Sequence, residues 1–197
     1  MTHVVRPDRR YHPAYLEAVD EMAGAHRDGD GEWEQSPDDA TGFAGYRFTR
    51  EGLEDPAEFA RLVRTRRAEE LPETPRPSGR VPCTYLWIVD EEDQYVGSIS
   101  LRHELTDFLL EQGGHIGYYV RPSARQQGHA GTALRQTLEM AHEMGLERVL
   151  ITCDEDNAAS RAVIEGAGGE YEDSRAGKRR YWVPTPPSDQ PFGVRLV

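Results

Sequence analysis

Residues 115–138, HIGYYVRPSARQQGHAGTALRQTL, hold the pattern most able to do chemistry in this 197-residue chain. An apolar run is broken by Pro122 and followed by Arg125, Gln126 and Gln127, and then Gly128 and Gly131 open an amphipathic run. That order reads as strand, anion-binding turn and helix. An oligophosphate needs several backbone N–H groups converging on one place, and a helix start supplies them because its first amides have no partner inside the helix. Gly128 lets the backbone come close without a Cβ, Ala130 and Gly131 keep the next positions small, and Arg125 adds a charge-assisted donor at the rim. Ala133, Leu134, Thr137, Leu138 and Ala141 follow the spacing of a half-buried helix. A glycine pair also suits an ordinary tight turn. Neither the Gly-x-Gly-x-x-Gly dinucleotide pattern nor the Gly-Lys-Ser/Thr ending of a P-loop is present.

The elements that must position this turn can be read from periodicity. Residues 83–89 and 94–103 flank the turn 90–93 and predict a central β-hairpin. Alternation puts Val96, Ser98, Ser100 and Arg102 on one side, and Tyr95, Gly97, Ile99, Leu101 and His103 on the other. Residues 105–114 read as a helical turn stopped by glycine. Residues 146–153 read as a strand after the helix, and residues 170–174 with 178–183 as a closing hairpin. Ahead of these, residues 4–11 suit an edge strand with Pro7. A helix runs from Pro13 to about Ala25, with Tyr15, Leu16, Val19 and Met22 on one face. Residues 27–55 are rich in Gly, Asp and Glu, yet Trp33, Phe43, Tyr46 and Phe48 are too many aromatics for disorder. They predict an ordered loop with one short helix lying over a cleft, or aromatics plugging the outer core. Asp55 and Pro56 start a helix carrying Phe59, Leu62, Val63 and Arg66, and residues 72–82 form a proline-rich surface linker inside the domain.

Composition bounds the partners. The length suits one domain, residues 1–183, with a helical and loop region at 27–82 and a proline-rich tail at 184–197 that is extended or docks on a partner subunit of a homodimer. No stretch has the length of a membrane span, and the first ten residues lack the apolar core of a signal peptide, so a cytoplasmic protein is expected. A net charge of -12 disfavours nucleic acid and anionic membranes; it either keeps the surface soluble or favours cationic substrates. Mean hydropathy of -0.73 fits a well-solvated surface. The two cysteines, Cys83 and Cys153, read as free and buried, and no metal-ligand spacing occurs.

Residues 120–130, Val-Arg-Pro-Ser-Ala-Arg-Gln-Gln-Gly-His-Ala, resemble the Val-x-Pro-x-x-Arg-x-x-Gly-x-Gly/Ala turn of the GCN5-related N-acetyltransferases (GNAT). A second segment is similar to that family's Asn-x-x-Ser helix ending in Glu-x-x-Gly: Asn157, Ser160, Glu165 and Gly168. The likeness spans roughly residues 85–183. It is closer still to a bacterial branch of predicted acetyltransferases sharing the Arg-His-x-Leu and Gly-Gly-His-Ile-Gly-Tyr segments, a likeness that brings no substrate with it. The resemblance implies an α/β fold with a mixed, mostly antiparallel sheet, helices on both faces, and acetyl-CoA in a splay between the strand after His115 and the strand at 146–153. It also implies acetyl transfer to a primary amine by a direct ternary-complex route, with a small molecule or a peptide as acceptor. Cofactor contacts implied by the likeness are the backbone of Tyr118 and Val120, the amides of Gln126, Gln127, Gly128, His129, Ala130 and Gly131, the side chains of Asn157 and Ser160, and Arg125.

Direct transfer needs a neutral amine, a path for its proton and an aligned thioester. His115, at the start of the implied thioester strand, is one candidate base, since an ordinary imidazole titrates near pH 6.5. Glu104 and His103 are others. Two departures stand out. Ile164 occupies the place where many members carry a tyrosine that protonates the leaving thiolate, so Tyr118, Tyr119 or Cys153 would have to serve. Gly169 replaces a usual aromatic. A non-catalytic acyl-CoA-binding module, a protein N-terminal or lysine acetyltransferase, and a transferase for longer acyl groups are the competing readings.

Overall fold

The computed structural model describes residues 1–187. Its elements are β1 (His3–Val5), α1 (His12–Glu21), β2 (Glu34–Gln35), β3 (Tyr46–Arg47), α2 (Pro56–Ala68), β4 (Cys83–Val89), β5 (Tyr95–Arg102), β6 (Ile116–Val120), α3 (His129–Glu143), β7 (Arg148–Asp154), α4 (Ala158–Gly166), β8 (Glu170–Arg175) and β9 (Lys178–Pro184). Seven strands form one sheet in the order β1-β4-β5-β6-β7-β9-β8. Every neighbouring pair is antiparallel except β6 with β7, which pair in parallel at Ile116 and Ile151 alone. The fold is the expected mixed, mostly antiparallel one.

Apolar side chains cover both faces. One core joins Leu86, Ile88, Ile99 and Leu101 of the central hairpin to Leu134 and Leu138 of α3 and Ile164 of α4. The other sets Trp87, Val89, Tyr95 and Tyr119 against Tyr15 and Val19 of α1 and Phe59, Leu62 and Val63 of α2. The expected alternation along β5 fails at its start. Ile88 pairs with Gly97 but Val89 with Tyr95, so Val96 is an extra residue in a β-bulge. The bulge moves Tyr95 onto the face of Ser98, and Val96 joins Ile99 and Leu101 in the first core.

Local signals explain the helix bounds. Asp55 Oδ1 accepts from Ala57 N–H at 2.9 Å and Pro56 follows, so α2 starts where its cap requires. Helix α1 stops at Glu21, earlier than the apolar spacing predicts, because Ala23 and Gly24 adopt φ of 48° and 82°. Strand β1 is also shorter than expected; residues after Pro7 turn into a 3-10 helix, Arg9–Tyr11. The loop from Arg27 combines both expectations. It holds a short helical turn, Gly52–Glu54, and its aromatics Trp33, Tyr46 and Phe48 pack into the second core, while β2 and β3 add an unforeseen ribbon. Arg66 anchors it: fully buried, its guanidinium donates to Asp30 O (2.8 Å), Glu32 O (2.6 Å), Tyr46 Oη (3.2 Å) and Glu69 Oε1 (3.0 Å).

A second clamp joins α1 to the end of β6. Glu21 accepts from Arg121 Nε at 2.9 Å and from Ser123 N–H and Oγ at 3.1 and 3.0 Å. The Arg121 bonds hold its carboxyl down to about 2, against an ordinary 4.5. A depressed carboxyl stabilises the fold fully above its unfolded value and less as pH falls toward the folded one. Because Glu21 is 29% exposed and solvent screens the pair, Glu21→Gln should cost about 1 kcal/mol at neutral pH. Urea melts of both proteins at pH 7 and pH 3 check this: the gap should narrow at the lower pH, and a gap independent of pH would contradict the assignment.

Candidate active site

After Val120 the chain turns through Pro122–Ala124, and Gln126 and Gly128 adopt φ of 62° and 83°. Gly128 is the N-cap of α3, with no side-chain cap and no acidic residue in the first turn. The first bond of the helix runs from Thr132 N–H to Gly128 O at 3.1 Å, so the amides of His129, Ala130 and Gly131 precede the ladder. A Cβ built on Gly128 or Gly131 meets nothing within 4 Å, so the space before these amides is open. Open space, free amides and the positive end of a 15-residue helix fit an oligophosphate. One expected side chain, that of Arg125, is engaged elsewhere, and so is the ring of His129, of which only the amide was expected. Arg125 turns back to donate from Nε to Val120 O at 3.1 Å, and the His129 ring is buried against Thr2 Oγ1 at 2.7 Å, leaving the turn only its amide.

Past Ile116, the edges of β6 and β7 diverge. Tyr118 spans the opening: its Oη lies 2.7 Å from Ser160 Oγ on α4. Asn157 caps that helix, its Oδ1 accepting from Ser160 N–H at 3.0 Å. Tyr118, Asn157 and Ser160 are therefore brought together. Burial, the largest cause, pushes the Tyr118 phenol up to about 12. Ile164 is fully buried in the core, and a Cβ on Gly169 would lie 2.6 Å from Ile164 Cγ2, so the two departures from the family pattern belong to one packing arrangement.

The diverging edges open onto a cavity of about 930 Å³. Its floor comes from the register of the central hairpin, where Cys83 pairs with Arg102 and Tyr85 with Ser100 on one face. Its walls include the Arg27–Gly31 loop, Phe43–Tyr46, and residues 74–81, which makes the proline-rich linker part of the site. Gly29 seats the first wall. A Cβ there would stand 2.3 Å from Gly117 O, so only glycine fits at this approach, with φ of 80°. This brings in residues that the sequence did not single out. Asp28 Cβ lies 3.6 Å from where a Gly117 side chain would start, and its Oδ1 is 3.1 Å from His26 Nε2. The one sequence signal for this pair was the His-Arg-Asp-Gly-Asp-Gly run. The lining carries six cationic side chains and four carboxylates, so the cationic preference expected from net charge does not hold at the cavity.

Of the candidate catalytic side chains, Tyr118 and Cys153 line this cavity, whereas His115, Glu104, His103 and Tyr119 do not. Glu104 is exposed in the bend after β5. Tyr119 faces the second core, its Oη 2.7 Å from Tyr95 Oη, and burial raises its phenol well above 10. His115 is 5% exposed and clamps β6 to β7: its N–H donates to Leu150 O at 2.7 Å, and its Nδ1 accepts from Leu150 N–H at 2.8 Å. Cys153 does line the cavity, but burial raises its thiol pKa.

Burial first, then Arg102, lowers the His115 imidazole to about 4. Between pH 6.5 and 4 the unfolded chain therefore takes up a proton on this ring that the folded chain refuses, so stability falls as pH drops through that window. His115→Asn keeps an acceptor without titrating and should flatten the dependence of melting temperature on pH between those limits. An unchanged slope would remove His115 from the clamp role.

Comparisons with known proteins agree with this fold. No curated protein matches the chain. Among solved structures, RimJ of Mycobacterium smegmatis in complex with CoA-disulfide superposes with a TM-score of 0.60 at 18% identity, over 92% of this chain and 80% of that one. The ribosomal-protein-S5-alanine acetyltransferase of Vibrio fischeri gives 0.55 at 18%, over 95% and 94%. The microcin C7 self-immunity acetyltransferase MccE, in complex with acetyl-CoA and AMP, gives 0.58 at 12%, over 93% of this chain and 92% of that one. These likenesses concern the fold. The family description "Acetyltransferase (GNAT) domain" matches residues 21–170, from the end of α1 to the start of β8, and the chain accordingly belongs to the GNAT family of acetyltransferases.

Proposed function

We propose that this acyltransferase moves an acetyl group from acetyl-CoA directly to a primary amine of a small molecule or peptide held in the cavity. The observation that carries this reading is the parting of β6 and β7 between the anion-binding turn and the cavity. Acetyl-CoA would supply the activated acetyl thioester. On this reading the amides from Gln126 to Gly131 hold its pyrophosphate, the exposed edge of β6 at Tyr118 and Val120 aligns its arm, and Asn157 and Ser160 close the opposite side. Asp28, beside His26 at the cavity wall, takes the proton of the incoming ammonium; Tyr118, still a donor up to a pH of about 12, stands in for the phenol that Ile164 replaces.

Two observations bear on the acceptor. The cavity volume suits a small molecule, whereas the Vibrio fischeri neighbour is named for a ribosomal protein, which supports a peptide amine. The free, buried cysteines fit a cytoplasmic setting.

Thiol release from acetyl-CoA across a panel of amines, run beside an acetyl-CoA titration, tests the reading. Turnover on any amine supports it, and tight binding without turnover on every amine would favour a non-catalytic acyl-CoA-binding module. Gly128→Leu should weaken acetyl-CoA roughly tenfold or more by placing a side chain in a left-handed backbone before the amides. Unchanged affinity by calorimetry would sink the phosphate-turn assignment. Asp28→Asn should lower kcat by roughly a hundredfold while sparing acetyl-CoA affinity; an unaffected kcat would exclude Asp28 as proton acceptor.

A further inference from the structure

We propose that the acceptor carries an anionic group, a carboxylate or a phosphate, beside its amine, and that Arg102 holds it. The proposal rests on the reading of the cavity as the acceptor site. Most of the charge on the cavity wall is already paired. Arg80 pairs with Glu32, Lys178 with Asp154, Arg27 with Asp30 and Arg61 with Glu58, and Arg66 takes up Glu69. Beyond the His26–Asp28 pair, this leaves Arg102 and Arg76, whose side chains form no ion pair among the described residues and hydrogen-bond to backbone carbonyls alone.

Arg102 is the better placed. Its backbone is fixed in β5 opposite Cys83, and its N–H donates to His115 O at 2.8 Å. Its Nη1 donates to Gly113 O and Gly114 O at 3.0 and 3.1 Å. Among the described residues it forms no ion pair, and no partner is found for Nε or Nη2. Those two nitrogens form one edge of the planar fork that binds a carboxylate or phosphate through two parallel bonds. A half-buried guanidinium held rigid by strand and carbonyl contacts, with one such edge free, is preorganised for an anion.

The spacing limits acceptor size. The Gly29 Cβ position is 3.0 Å from Ile99 Cα, which puts the Asp28 wall over that residue. From Ile99 to Arg102 is three residues of strand, or roughly 10 Å. An amine beside Asp28 and an anion at Arg102 would therefore belong to one short molecule. A polyamine would instead bring its second cation toward two unpaired guanidinium groups.

The test uses the full chain and amines of similar size: β-alanine, phosphoethanolamine, ethanolamine and putrescine. Thiol release should show kcat/KM about tenfold or more higher for an anionic amine than for ethanolamine or putrescine. The order of β-alanine and phosphoethanolamine identifies carboxylate or phosphate. Arg102→Gln should abolish the preference through KM, and Arg102→Lys should restore part of it, which separates loss of charge from loss of fold. In parallel, inorganic phosphate and succinate are titrated into protein saturated with CoA, so that the cofactor's own phosphate site is filled. At least one should bind, and bind about tenfold more weakly to Arg102→Gln. Preference for ethanolamine or putrescine, a preference that survives Arg102→Gln, or no binding of either probe would overturn the proposal. Turnover without anionic preference would leave the transferase reading standing, whereas failure to bind acetyl-CoA would remove that reading and leave the anion titration to be judged by itself.

Discussion

Two strands that run side by side must exchange hydrogen bonds or find other partners for their backbone groups. In this fold β6 and β7 pair at one position and then diverge, and both ends of the gap are secured by side chains. Before it, His115 uses its ring and its amide to bind both polar groups of Leu150. After it, Arg125 bonds the carbonyl of Val120, and Glu21 fixes Arg121 and Ser123. The gap, the turn and the cavity mouth depend on these restraints.

The charge of the chain and the charge of its cavity have different origins. A net charge of -12 sums residues over the whole surface, where carboxylates such as Glu91, at 80% side-chain exposure, face water and are screened. The cavity samples only what β4, β5 and the surrounding loops direct inward, and there the carboxylates are taken up by arginine, lysine and histidine partners. What remains is determined by a few partners, none of which composition can identify.

What could be read from the sequence was local. The Gly128 turn, the Asp55 cap and the hairpin at Asp90 depend on neighbours a few residues away, and the helix faces on a fixed period. The Val96 bulge was not legible, because alternation continues through an inserted residue without any compositional sign. The role of His115 was hidden for a related reason: its partner, Leu150, is 35 residues away. Asp28 looked like part of a polar loop until Gly29 was seen against Gly117, and Arg102 could be placed on a strand face but not told apart from a solvated arginine.

Arg66 bears on how anything enters. Its guanidinium holds the carbonyls of Asp30 and Glu32 to α2 from inside the protein, so swinging that loop aside would break two buried charge-assisted bonds, at a cost of about 1.5–3 kcal/mol each. The wall carrying Asp28 is on this account a fixed one. Fluctuations that admit an acceptor would come instead from residues 74–81 and from the exposed Phe108 at the rim, where fewer buried contacts resist displacement. Whatever enters the cavity would then do so past a doorway that moves while the Arg66-held wall stays still.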